Sequence, residues 1–205
     1  MRPPPEPRSW RFHAPDRGGS SRVPPVDLDR WLPKPVVRTN YRRESPATAA
    51  ELWDSAATVR LRDCRILGRL IRARIPGLQA SLSFNDLFRN DPFNLLEEGP
   101  TYNLSGLCGR IWSMRGDFAL LSQPSDFRSW HAPGTVRVLF AGWAEATESG
   151  SALVSEVRIA AVDRKAGLYL RGLKPFIAAF QGLVAKEPLQ VAVQRAALAS
   201  ESRDH

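Results

Sequence analysis

The chain is poor in the side chains that carry most acid–base and metal chemistry. Among 205 residues there are three histidines, two cysteines and two methionines. His13 and His205 lie near the two ends, which leaves His131 as the one histidine inside the patterned region. Two isolated cysteines, Cys64 and Cys108, with one usable histidine do not make a zinc site, and no metal or other cofactor is expected. Nor do they make a disulfide framework, which suits a reducing, cytoplasmic setting. No apolar run reaches about 18 residues, so no transmembrane helix is expected. The opening Met1-Arg2-Pro3-Pro4-Pro5 lacks the apolar stretch of a secretory signal.

Acidic charge is also in deficit. The 29 Lys/Arg against 21 Asp/Glu leave a net +8. Residues 1–35 hold seven basic and four acidic residues (+3), and residues 36–205 hold 22 and 17 (+5). The excess is spread along the chain, whereas nucleic-acid binding calls for a concentrated patch, so no nucleic-acid partner is expected. The local exception is 60–74, where Arg60, Arg62, Arg65, Arg69, Arg72 and Arg74 face one carboxylate, Asp63. A solvated helix face is the default reading of such a stripe; peripheral contact with anionic lipid headgroups is the alternative.

What is present divides the chain near Pro35. Residues 1–35 carry nine of the 17 prolines and Gly18-Gly19-Ser20-Ser21, a composition that cannot offset its ordering entropy and reads as a disordered arm. Trp10, Phe12 and Trp31 are unusual in an inert tail; docking on the domain or a partner is one reading, and sticky spots in a flexible arm the preferred one. From Val36 the pattern is that of a folded domain to about residue 200, with 201–205 a flexible tail. Val36–Tyr41 reads as a strand. Ser45-Pro46 offers an N-cap and first-turn proline for a helix through Leu52 and Trp53. A second helix is expected over 60–74, stopped by Pro76-Gly77. Strands follow at Asn94–Glu98, Tyr102–Trp112, Asp117–Leu121, Thr135–Ala146 and Ala152–Val162, the last two forming a hairpin. On the last strand Leu153, Ser155, Val157, Ile159 and Ala161 share the expected core face, and Val154, Glu156, Arg158 and Ala160 the outer one. Asp163 then caps a terminal helix to about Ala199, which Pro175 and Pro188 should kink or divide. The expected architecture is α+β: a curved antiparallel sheet wrapped around a long C-terminal helix, with two short helices after the first strand.

Several motifs resemble the START-related SRPBCC (helix-grip) superfamily, which includes polyketide cyclases and lipid-transfer domains. They are Glu51-Leu52-Trp53-Asp54, Arg74-Ile75-Pro76-Gly77, Gly106-Leu107-Cys108-Gly109-Arg110-Ile111-Trp112, Phe127 and Trp130 before Pro133-Gly134, and Ser155-Glu156-Val157-Arg158-Ile159 before Asp163. Pro175-Phe176 and Leu183–Leu189 resemble the terminal helix, so the likeness spans about 36–198. It implies a hydrophobic cavity between sheet and helix, in carriers and enzymes alike.

On that resemblance the aromatics Tyr102, Trp112, Phe140, Trp143, Phe176 and Phe180 are the candidate cavity wall, since ligand pockets are largely apolar and aromatic. Binding of a lipid, isoprenoid or polyketide-like molecule is the expected function; a cyclase or dehydratase working by positioning and water exclusion is the alternative. No catalytic residue stands out. His131, in the turn before Pro133-Gly134, is a weak candidate, because loop histidines are usually exposed. Glu97 and Glu98 point to opposite faces of a strand and cannot act together. Glu156 and Arg158 share the expected outer face and read as a surface pair. Gly106 and Gly109 read as glycines that let a strand bend.

Overall fold

The computed structural model describes residues 25–75, 77–113 and 117–201; side chains at 74, 174–185, 200 and 201 are outside the described residues. Six strands form one antiparallel sheet: β1 Val37–Ser45, β2 Asn94–Gly99, β3 Tyr102–Gly109, β4 Phe118–Ala119, β5 Val136–Thr147 and β6 Gly150–Ala161. Their order is β1-β6-β5-β3-β2, with β4 pairing the end of β3. The helices are α1 Leu28–Trp31, α2 Ala49–Ala57, α3 Leu67–Arg74, α4 Phe84–Leu87, α5 Pro124–Ser129 and α6 Arg164–Glu201.

The alternation of β6 sets the inner face as expected. Val157 and Ile159 pack with Val138, Leu107 and the first turns of α6 at Ala166 and Leu170. Toward the other end Leu153 and Ala144 pack with Leu52 of α2 and with Leu189 and Ala192 of α6. The sheet thus grips one long helix, a two-layer α+β arrangement of helix-grip type. Asp163 fixes the start of that helix. One carboxylate oxygen accepts the Ala166 amide at 2.8 Å, and the other accepts the Gly134 amide at 2.6 Å. These amides, first Ala166 and then Gly134, hold its pKa below the usual carboxylate value.

Three local expectations need correction. The first helix does not start at Ser45-Pro46, because Ser45 still pairs with Ser151 at the end of β1. Thr48 caps it instead, in a reciprocal box with Glu51. The 60–74 segment is a 3-10 turn, Leu61–Asp63, followed by α3. Gly68 lets the two pack closely, since a Cβ there would run into the Leu61 carbonyl. Pro175 and Pro188 do not divide α6, which runs unbroken over 38 residues. Packing of Leu189, Ala192 and Ala196 against α2 and the sheet holds the helix across the bond that Pro188 cannot make.

The largest difference is on the outer face of the sheet. Residues 25–35, expected in the arm, lie in the folded body; residues 1–24 are outside the described residues. Asp27 caps α1 through the Asp29 and Arg30 amides, and Val26, Leu28, Trp31 and Leu32 are buried on the outer face with Leu139, Ala141, Trp143 and Val154. Phe127 of α5 completes this layer, over Gly106. A Cβ on Gly106 would come within 2.5 Å of the Phe127 ring, so this glycine makes room for an aromatic. Both faces of the sheet are therefore covered.

Candidate functional site

A cavity lies between the inner face of the sheet and helices α2, α4 and α6, with a volume of about 110 Å³. Trp53, Ala56 and Ala57 come from α2, and Phe84 and Asn85 from α4, with Phe88 just beyond it. β5 gives Phe140 and Gly142, β6 gives Leu153, Ser155 and Val157, and α6 gives Pro188 and Leu189. The sequence dictates this wall locally. Alternation on β6 turns Leu153, Ser155 and Val157 inward, and the register Phe140↔Val157 and Gly142↔Ser155 brings their β5 neighbours to the same side. Ser55 donates to the Ala192 carbonyl at 2.9 Å and so ties α2 to α6.

Two of the wall aromatics, Phe88 and Phe140, cluster with Phe93. Phe88, Phe93 and Phe140 have centroids 5.0–5.4 Å apart, two of the three contacts edge-on. Asn85, Asn103 and Ser155 are the polar side chains on the wall. Asn103 donates through Nδ2 to the Asn85 side-chain oxygen Oδ1 at 3.2 Å, and the Ser105 hydroxyl donates to the Phe88 backbone carbonyl at 2.6 Å. No Asp, Glu, His, Lys, Arg, Cys or Tyr lines this cavity among the described residues. The wall can surround an apolar group and offer it an amide or hydroxyl.

The predicted aromatics divide. Phe140 is on the cavity wall. Tyr102 and Trp143 pair across β3 and β5 but lie on the opposite, outer face, so they do not line it. Their polar atoms bind there: the Tyr102 hydroxyl donates to Glu97 at 3.2 Å and the Trp143 indole to Glu145 at 3.1 Å. Trp112 stacks on Tyr169 of α6 at 5.2 Å, away from the cavity wall. The side chains of Phe176 and Phe180 lie outside the described residues. His131 is exposed, with Nδ1 2.9 Å from the Ser129 carbonyl, and is not on the wall. Trp53, Phe84 and Phe88 are the wall aromatics that sequence reasoning passed over. Trp53 stands within a resemblance motif, but nothing short of the tertiary fold brings α4 over the sheet.

Glu156 and Arg158 are not a surface pair. Their side chains are 1% and 4% exposed. Glu156 accepts Arg158 Nε at 2.6 Å, Arg38 Nε at 2.8 Å and Asn40 Nδ2 at 3.1 Å. Arg158 also reaches Asp29 at 2.5 Å and the Leu32 carbonyl at 3.3 Å, so the 26–32 segment is what buries the pair. Burial alone would lower the Arg158 pKa; Glu156 and Asp29 raise it overall. This network anchors the covering segment and lies on the far side of the sheet from the cavity.

The two thiols are unreactive by position. Burial pushes Cys64 up to about 12, helped by Glu187, and pushes Cys108 up to about 12 as well. Among the described residues no group of three or more His, Cys, Asp or Glu is placed to hold a metal, and no helix is long and apolar enough to cross a membrane.

No protein-family model and no curated protein matches the sequence. Solved structures show distant likeness only. Protein MLL2253 from Mesorhizobium loti is 12% identical, with a TM-score of 0.32 over 76% of this chain and 96% of its own. TTHA0849 from Thermus thermophilus is 10% identical, with a TM-score of 0.28 over 80% and 99%. Ara h 8.0201 is 12% identical, with a TM-score of 0.25 over 78% and 97%. At these values the likeness carries no argument about activity, and the fold stands on the sheet and helix described above.

Proposed function

We propose that the chain binds a hydrophobic small molecule in the cavity between the sheet and α6. One observation carries this reading: a concave site walled by Trp53, Phe84, Phe88, Phe140, Leu153, Val157 and Leu189, with two asparagines and a serine as its polar handles. At about 110 Å³ the space is near that of an engineered apolar cavity of ~150 Å³ that holds benzene. A single ring or a short branched chain fits it as it stands. A lipid, isoprenoid or polyketide needs a pocket of roughly 300–1,000 Å³, so it would enter only if the wall opened. Pro188 marks where that opening would start: it lines the cavity, and as a proline it supplies no amide to the preceding helical turn. Among the described residues the wall offers no acid–base group, so a cyclase-like reaction here would have to work by positioning and water exclusion alone, and binding is the simpler reading. Native mass spectrometry of the purified chain tests this reading. A co-purifying organic molecule of low polarity supports it; a ligand-free chain that also takes up none from a panel of aromatic and isoprenoid compounds refutes it.

A further inference from the structure

The α3 segment presents a face that the fold leaves uncovered. Leu67 is buried and Ile71 half-buried against the core, which fixes the inward side of the helix. The outward side divides into two adjoining strips. Arg65, in the turn just before the helix, and Arg69 and Arg72 of α3 follow at i, i+4 and i+7, all exposed, and none makes a salt bridge among the described residues. Beside them Ile66 is 53% exposed and Leu70 40% exposed, one helical turn apart. An exposed aliphatic pair is not explained by solvation of a charged face; arginines beside protruding aliphatics are the composition of a helix that lies at a lipid–water boundary.

The carboxylates that contact this segment are already committed elsewhere. Asp63 is held by Arg195 at 2.7 Å and by the Arg60 amide at 2.9 Å. Glu187 of α6 accepts the Ile66 and Leu67 amides at 3.3 and 2.9 Å, so it caps α3 and locks it to α6. Among the described residues the arginine strip thus has no carboxylate partner, and Glu187 ties the N-terminus of α3 to α6. Glu187 also precedes Pro188 and Leu189, which line the cavity, so the platform and the cavity meet at one stretch of α6.

We propose that the Arg65/Arg69/Arg72 and Ile66/Leu70 face of α3 docks the protein on an anionic lipid bilayer. The arginines meet acidic headgroups, and the two aliphatics enter the boundary of the acyl region. Docking depends on the surface of α3 and not on what occupies the cavity, so it stands or falls separately from ligand binding.

Flotation of the full chain with vesicles tests it, using phosphatidylcholine with about one-third phosphatidylglycerol against phosphatidylcholine alone. The chain floats with the anionic vesicles and not with the neutral ones, and the bound fraction falls as salt shortens the screening length from about 10 Å at 0.1 M. Each arginine near an anionic surface contributes about a fivefold gain in partition. Arg65→Gln, Arg69→Gln and Arg72→Gln together therefore lower binding about a hundredfold, and each single variant about fivefold. The exposed Ile66→Ser/Leu70→Ser pair keeps the charge and also weakens binding at least about tenfold, at two buried chains' worth of lost apolar contact. Equal flotation with neutral vesicles, no flotation at all, or an unchanged partition in the arginine variants overturns the proposal. So does full binding by the serine variant together with equal affinity for duplex DNA, which would make the face a general polyanion site. Singles are surface changes, so a triple variant that fails to fold leaves the test intact.

Discussion

Replacing either member of the Glu156–Arg158 pair tests how the outer face is held. Glu156→Leu leaves a guanidinium that is 4% exposed with the Leu32 carbonyl and with Asp29, itself 72% exposed. An Asp so open to water compensates little, because solvent screens it. Breaking a buried ion pair from one side costs about 3–5 kcal/mol, and the Leu32 carbonyl, a buried partner the guanidinium keeps, places this change near the lower end, about 3 kcal/mol. Arg158→Met costs less than Glu156→Leu, because Glu156 keeps Arg38 and Asn40. The double change Glu156→Leu/Arg158→Met leaves no buried charge of the pair and stays within about 1 kcal/mol of the parent. Urea unfolding of the four proteins measures this cycle. Thermal unfolding follows it, with Glu156→Leu lowering Tm by roughly 6–12 °C for a chain of this size. A cost under about 1 kcal/mol for Glu156→Leu, or a double variant that is worse than both singles, would refute the claim that residues 26–32 bury the pair.

Three further outcomes follow from the geometry. Gly106→Ala drives a methyl into the fully buried Phe127 ring and costs about 1–3 kcal/mol in urea unfolding; a neutral result would mean α5 is not seated on β3. Cys64 and Cys108, both raised to about 12, stay unmodified by a thiol reagent at about pH 8 in the native protein and react fully in denaturant; rapid labelling without denaturant would contradict their burial. Asp163, whose folded pKa is depressed, contributes stability above its unfolded value and loses it as pH falls through the folded one. Asp163→Ala therefore makes the acid limb of the stability curve below about pH 4 shallower, and an unchanged limb would remove its capping role.

The sheet was legible because its strands carry period-two patterns and turn residues at their ends. Leu153, Val157 and Ile159 point inward as alternation requires. The outer face was not legible. Glu156 and Arg158 look like surface residues because nothing within β6 tells that a segment over 120 residues earlier covers them. That segment sits beside a proline-rich stretch, and its one local signal, Asp27 before Leu28-Asp29-Arg30-Trp31, is a four-residue helix. The same ignorance of pairing misplaced Tyr102 and Trp143, since an aromatic on a strand gives no sign of which face it serves until its register with the neighbours is known. Pro188 suggested a break in α6, but local propensity yields to the packing of Leu189 and Ala192.

The most direct test of the cavity is a titration of isotopically labelled protein with a single-ring apolar compound such as toluene or indole, followed by NMR. Binding should shift the methyl signals of Leu153, Val157 and Leu189 together, while Leu104 and Leu139 in the outer-face core respond weakly. Ala57→Phe, which brings a ring into the same space, should abolish these shifts and leave the fold intact. Shifts scattered over the surface, or a response undiminished in Ala57→Phe, would contradict ligand binding between the sheet and α6.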